Sequence, residues 1–405
     1  MKKLQVAIIG TGGRSNSYAM AYSSDDSIEI AALADPVPEH RKTTAEVSAI
    51  KPGYREYDSW EKLLASEKNL DGVVIATPNH LHAEPAIACL KRGIPVACEK
   101  PLATTKADCE RIIDTEKEYN GRTLIGFVLR STPFYKKINE LSNSGRIGNL
   151  ISIQADELPG VGVTSIMNRS PWRRYESFSG GAMLEKSCHD MDILNWMTGS
   201  RPRSLHSFGS RRIFTPTPAL PDFCDKCPSA KACRYYKEPV FSKHEDKMEK
   251  LMHNYIREDN RCIYNIDKDG LDVQSVQLEY QNGAIVNFML QFNCSGPRAS
   301  RNFHAIGTRG SVYGNLQENN VFLYDFASEK EEKHELKNDG SDHGGGGKLH
   351  ALELKKMMQD PDYMPSQNAG TGYLSAVMCF AADRSVREGR RIHFDYDKAG
   401  RINII

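Results

Sequence analysis

Leu4-Gln5-Val6-Ala7-Ile8-Ile9-Gly10-Thr11-Gly12-Gly13-Arg14-Ser15 is the stretch that decides the fold. Residues 4 to 9 are a short unbroken apolar run, as expected of a parallel strand buried on both faces. Glycines follow at once, and the residues after them can be helical. In such a strand–turn–helix, Gly10 permits a tight turn and Gly12 lets the backbone approach a pyrophosphate. The helix N-terminus then presents free N–H groups and a partial positive charge to that anion. Gly13 adds room, and Arg14 lies in the same loop. Ser15 stands where a third glycine is usual, which loosens the packing of helix on strand.

The surroundings strengthen this reading. IEIAALAD (28 to 35) is a second buried strand, and it ends in Asp35. An acid there can accept hydrogen bonds from both ribose hydroxyls of an adenosine and repels a 2′-phosphate, which favours NAD over NADP. Asp35 could instead cap the helix beginning near Pro38. Further strand-like runs at 72–76, 94–98 and 123–127 are separated by helical stretches at 80–92 and 104–119. This alternation predicts an α/β Rossmann domain, a doubly wound parallel sheet with right-handed crossovers, over 1–127.

Composition narrows the class. The chain has 405 residues, enough for two or three domains, with 40% hydrophobic and 26% charged residues. Lys plus Arg (53) nearly cancels Asp plus Glu (52), so a net charge of +1 gives no field for nucleic acid or anionic lipid. No apolar run is long enough to span a bilayer, and the N-terminal apolar stretch lacks a cleavage pattern. These features predict a cytoplasmic protein with no membrane or nucleic-acid partner.

Two strings lie at strand C-termini, where ligands of such sheets bind. They are Ala76-Thr77-Pro78-Asn79-His80-Leu81-His82 and Cys98-Glu99-Lys100-Pro101-Leu102. A third, Gly180-Gly181-Ala182-Met183-Leu184-Glu185-Lys186-Ser187-Cys188-His189-Asp190, places Glu185 and His189 four residues apart, on one helical face. The order GxGG, ATPNxxH, EKPL and acid-x3-His resembles the Gfo/Idh/MocA oxidoreductases. Glu185 departs from the aspartate more common there by one methylene. The resemblance implies a second, α+β domain over 128–405, built on a large open, mostly antiparallel sheet. Alternating segments at 271–280, 284–292, 302–306, 311–314 and 321–325 agree with that. In relatives a stretch like the glycines 344–347 precedes a helix near the site, and 348–358 has helical spacing here.

The resemblance further implies a catalytic set of Lys100, Glu185 and His189. Removing hydride from a secondary alcohol carbon requires the hydroxyl proton to leave as well. A neutral imidazole such as His189 can accept it, Lys100 can stabilise the oxygen, and Glu185 can hold a neighbouring hydroxyl. Cofactor contacts are expected from Gly10, Gly12, Gly13, Arg14, Ser15, Asp35, Thr77, Pro78, Asn79, His82, Glu99 and Lys100. Substrate contacts are expected from Lys100, Trp172, Arg173, Glu185 and His189. Trp172 beside Arg173 can stack on a sugar face, or can wedge between domains with the arginine solvated. The expected activity is NAD-dependent oxidation of a secondary hydroxyl of a sugar, glycoside or inositol, by a homodimer or homotetramer. Two alternatives stay open: an NAD-dependent glycosidase working through transient C3 oxidation and elimination, and a non-catalytic NAD(P)-binding sensor.

The ten cysteines are mostly scattered in apolar settings. Cys224-x2-Cys227-x5-Cys233, with Cys262 further on, form a pattern within an insertion at about 210–265. Four thiolates could hold a structural zinc; free thiols or a disulfide pair are the alternatives.

Overall fold

Two sheets organise the chain in the computed structural model, which describes residues 3–237, 260–296, 299–337 and 347–405. The first comprises β1 (Leu4–Ile9), β2 (Ile28–Ala34), β3 (Arg55–Tyr57), β4 (Gly72–Ile75), β5 (Val96–Cys98) and β6 (Thr123–Ile125). Its order is β3-β2-β1-β4-β5-β6, and every pair is parallel. The order reverses beside β1, so the carboxyl ends of β1 and β4 open the crevice in which such sheets bind ligands. Helices α1 (Ser15–Ser23), α2 (Pro38–Val47), α3 (Trp60–Ser66), α4 (Ala83–Leu90) and α5 (Lys106–Glu118) make the crossovers. Val6, Ala7, Ile8, Val73, Val74 and Ile75 are wholly buried, because helices cover both faces of the sheet. The doubly wound sheet expected from the sequence is present.

After α6 (Pro133–Asn143) comes the second sheet. It contains β7 (Leu150–Glu157), β8 (Pro202–Ser210), β9 (Val273–Tyr280), β10 (Ile285–Gln291), β11 (Asn302–Gly307) and β12 (Gly310–Asn315). The remaining strands are β13 (Asn320–Asp325), β14 (Lys330–Glu335), β15 (Ile392–Tyr396) and β16 (Ile402–Ile404). The order is β14-β13-β12-β11-β7-β10-β9-β8-β15-β16. Only β7 against β10 is parallel among these pairs. Alternation sets its faces: Gln274, Val276, Leu278 and Tyr280 of β9 are buried, and the residues between them are not.

Between β7 and β8 the chain forms α7 (Val161–Arg169), α8 (Glu176–Ser179) and α9 (Ala182–Thr198). Two later helices, α10 (Gly347–Gln359) and α11 (Ala369–Glu388), return to earlier parts of the fold. Ala351, Leu354 and Met357 of α10 join Val6, Ile8 and Tyr18 in one apolar cluster, and Tyr22 donates to the Ala351 carbonyl at 2.9 Å. A helix from the far end of the chain thus covers the first sheet. The glycines 344–346 before it lie outside the described residues. α11 packs between α5 and α9 and so ties the two sheets together. Asn368 caps it by accepting from Thr371 N at 3.2 Å. Among the described residues, no helix is long and apolar enough to cross a membrane.

The zinc expectation is corrected here. All four clustered cysteines are free, and no three His, Cys, Asp or Glu side chains among the described residues are grouped to hold a metal ion. The buried guanidinium of Arg169 reaches Cys224 Sγ at 3.7 Å, the Tyr235 carbonyl at 2.8 Å and the Arg261 carbonyl at 2.7 Å. These bonds fasten the insertion to α7. Residues 238–259 of the insertion lie outside the described residues.

Candidate active site

The glycine loop fits a nucleotide at three points. Gly10 has φ +84°, and a Cβ on it would lie 2.6 Å from Thr77 N, so only glycine lets the β1 and β4 loops meet there. Gly12 is buried and Gly13 half-buried, and Ser15 closes the turn by donating its hydroxyl to the Gly12 carbonyl at 2.7 Å. Among the described residues the buried hydroxyl oxygens of Thr11 and Thr77 have no hydrogen-bond partner, as suits a ligand bringing its own donors and acceptors. Asp35 ends β2 with its carboxylate fixed by Thr11 N (3.0 Å), Val37 N (2.9 Å) and the His40 ring (3.2 Å). Burial raises its pKa, but these hydrogen bonds outweigh burial and hold it below the ordinary range. This loop and acid match the chemistry of a dinucleotide such as NAD.

The other predicted cofactor residues divide. Arg14 and Glu99 face each other, Nε to Oε1 at 2.6 Å, and clamp the glycine loop to the β5 loop. His82 stands behind the loops: it is wholly buried, its Nδ1 2.7 Å from the Pro101 carbonyl and its Nε2 3.0 Å from that of Thr77. Its ring lies between the ATPN and EKP strings. Pro78 starts the single 3-10 turn that carries Asn79. Asn79 reaches across to the second sheet's layer, donating to the Ser179 carbonyl (2.9 Å) and to Glu185 Oε2 (2.8 Å).

Glu185 is where the separate strings converge. Lys100 Nζ lies 3.2 Å from Glu185 Oε2 and also donates to the Glu185 carbonyl. Arg173 Nε donates to Oε1 at 2.9 Å. Burial would raise the pKa of this carboxyl. The charges of Lys100 and Arg173, with hydrogen bonds from Asn79 and Arg173, lower it instead to about 2. It is a buried anion with a surplus of positive charge around it. His189 follows one helical turn later on the same face, buried, with its ring centroid 5.9 Å from that of Phe127. The Arg173 guanidinium lies 4.1 Å over the Trp172 ring, and the buried Trp172 Nε1 has no partner among the described residues. The structure therefore brings Lys100, Glu185, Arg173 and Asn79 into direct contact, with His189 and Trp172 held alongside by α9 and by Arg173.

One set of pairings escaped the sequence reading. Beneath α9, Arg301 Nε meets both Asp190 Oδ1 and Glu157 Oε2 at 2.7 Å, and Lys186 meets Glu157 Oε1 at 3.0 Å. Arg130 pairs with Asp192 at 2.6 Å. These pairs join α9 to β7, to the start of β11 and to the turn after β6. Acidic residues on an apolar-looking helix were a signal for Asp190 and Asp192, but nothing local marked Arg301 as their partner.

Comparison with known proteins agrees with this geometry. A profile described as an oxidoreductase family with an NAD-binding Rossmann fold matches residues 4–127, and one for the GFO/IDH/MocA C-terminal domain matches 135–313. YteT of Bacillus subtilis (strain 168) is 27% identical over 401 residues, covering 90% of this chain and 91% of that protein. Levoglucosan dehydrogenase of Pseudarthrobacter phenanthrenivorans is 31% identical over 209 residues, 49% of this chain and 52% of that enzyme. The chain thus matches about half the length of that relative. Among solved structures, levoglucosan dehydrogenase in complex with NADH and levoglucosan superposes with a TM-score of 0.75 at 19% identity, covering 97% of this chain and 99% of that one. The chain belongs to the Gfo/Idh/MocA family of oxidoreductases with an NAD-binding Rossmann fold.

Proposed function

We propose that this protein oxidises a secondary hydroxyl of a cyclic polyol, a sugar or a glycoside, using NAD. The observation that carries the reading is the ionised Glu185, shared by Lys100, Arg173 and Asn79 and lying one turn from His189. When bound, NAD supplies the hydride acceptor. The chain's own groups handle the proton and the charge. His189 accepts the hydroxyl proton as general base. Lys100 donates a hydrogen bond to the same oxygen as negative charge develops on it. Glu185 accepts from a neighbouring hydroxyl, which orients the ring. Trp172 offers an apolar face and its unpartnered N–H to the substrate. Asp35 disfavours a 2′-phosphate, so NAD is preferred to NADP.

Two further features belong to this reading. Phe208 and Ile285 are exposed on the face of the second sheet away from α9 and α11, an apolar surface for a homodimer or homotetramer. The ten free cysteines suit a reducing cytoplasm.

The test is purified protein with NAD and a panel of inositols, aldoses and aryl glycosides, following NADH absorbance and aglycone release together. NADH should accumulate with one subset, and His189→Ala should reduce its rate by about 10²–10⁴-fold. Near-normal turnover in His189→Ala would remove that residue as the base. Aglycone release without NADH would replace this reading with oxidation–elimination. NAD binding with neither signal would leave the sensor.

A further inference from the structure

A second cavity, of about 400 Å³, opens where the two halves of the protein meet behind the start of α9. Thr104, just past the EKPL string, lines one side. Glu176 and Ser177 of α8 and Phe380, Asp383 and Arg387 of α11 line the others. Its volume suits a single small ligand.

Asp383 is the group that asks for a partner. It is 9% exposed, and Gln274 Nε2 donates to its Oδ1 at 3.0 Å. Among the described residues no donor reaches Oδ2, which packs against Gly181; a Cβ there would lie 3.1 Å from it. Burial pushes this carboxyl up to about 7, and Gln274 opposes the shift. Near neutral pH it is therefore both a donor and an acceptor. The rim offers no free charge, because Arg387 is paired with Glu176 at 3.0 Å. The Phe380 ring supplies an apolar wall, and Thr104 and Ser177 supply hydroxyls. A ring face, hydroxyls and a carboxyl able to give or take a proton are complementary to a neutral polyhydroxylated ring.

We propose that this cavity is a second, effector site for a neutral polyol or sugar, distinct from the site at Glu185. Its position gives the ligand a means of action. Gly180 and Gly181, both at positive φ (+81° and +93°), form the joint from which α9 starts. Glu185 N donates to the Gly181 carbonyl at 3.0 Å, so the joint's geometry is passed directly to Glu185. Occupation of the cavity fixes that joint.

The test is calorimetric titration of myo-inositol and of glucose into NADH-saturated protein, in which a bound polyol cannot be oxidised. One of the two should bind with two sites per chain. Asp383→Leu, which removes the carboxyl, should leave one. Ser177→Trp should also leave one by filling the cavity from its exposed rim, and it spares the buried core if Asp383→Leu fails to fold. Glu185→Gln should abolish the other event. Stoichiometry unchanged in both cavity variants, a single site lost only in Glu185→Gln, or no polyol binding at all would overturn the proposal. An event lost in the cavity variants but insensitive to Glu185→Gln, with no second event, would support the effector site and count against the dehydrogenase reading.

Discussion

Glu185 and Asp190 sit a turn and a half apart on α9, equally buried, yet the protein treats their charge in opposite ways. Around Glu185 there are two cations and an amide for one carboxylate, and its pKa falls to about 2. Asp190 shares Arg301 with a second carboxylate, Glu157. Burial and that neighbour push its pKa up, against the pull of Arg301. Depth therefore does not decide whether a buried acid stays ionised; the ratio of donors to acceptors does. The first cluster holds fixed charge where the loops after β4 and β5 meet α9. The second is a joint between α9 and the sheet, in which charges roughly cancel.

If that contrast is right, the joint is the costlier place to remove a cation. Arg301→Met leaves the buried Asp190 without its cation and Glu157 with Lys186 alone, and should cost about 3–5 kcal/mol. Arg173→Met should cost far less, because Lys100 and Asn79 still hold Glu185 and the arginine is 25% exposed. Urea midpoints for both variants decide it. Equal midpoints would show that the two clusters are energetically alike.

Lys100→Met reads the other side of the contrast. Its cation is expected to act on the reacting oxygen, so turnover should fall by about 10²–10³-fold. The NAD dissociation constant and the urea midpoint should change little. A variant that lost stability to the same degree as Arg301→Met would make Lys100 a structural tie.

How much of this was legible in sequence follows from the range of the interactions. The first sheet was readable because its strands are buried on both faces and announce themselves as apolar runs, and because its ligand loops are contiguous strings. Lys100, Glu185 and His189 were legible for the same reason, through spacing and resemblance. β14, Lys-Glu-Glu-Lys-His-Glu, could not be read, since an exposed edge strand has no apolar face and its charges discourage edge-to-edge pairing. Arg301 lies 111 residues from Asp190, and no local pattern records such a pairing. His82 was expected at the cofactor; its ring nitrogens lie 2.7 and 3.0 Å from two backbone carbonyls, and a neutral imidazole can donate to only one of them. The cysteine pattern left zinc, free thiols and a disulfide open, and C-x2-C spacing says nothing of Arg169, which arrives from α7 to donate to Cys224 Sγ.

The finest of these effects, read as a slope of stability against pH, is also the most direct test of the contrast, because the two acids should bend that dependence in opposite senses. The folded pKa of Glu185, about 2, lies below the ordinary 4.5. Its contribution is therefore complete above the ordinary value and is lost as pH falls through the folded one. Asp190 is shifted upward from 3.8, so the folded chain takes up its proton first as pH falls, and stability is gained between the folded and ordinary values. The stability of wild type minus that of Glu185→Gln should shrink below the ordinary carboxylate range. Wild type minus Asp190→Asn should instead grow as pH falls from neutral towards that range. Urea titrations at a series of pH values between neutral and acid measure both differences. If they move in the same direction, Asp190 is held ionised as Glu185 is, and Arg301 outweighs both burial and Glu157.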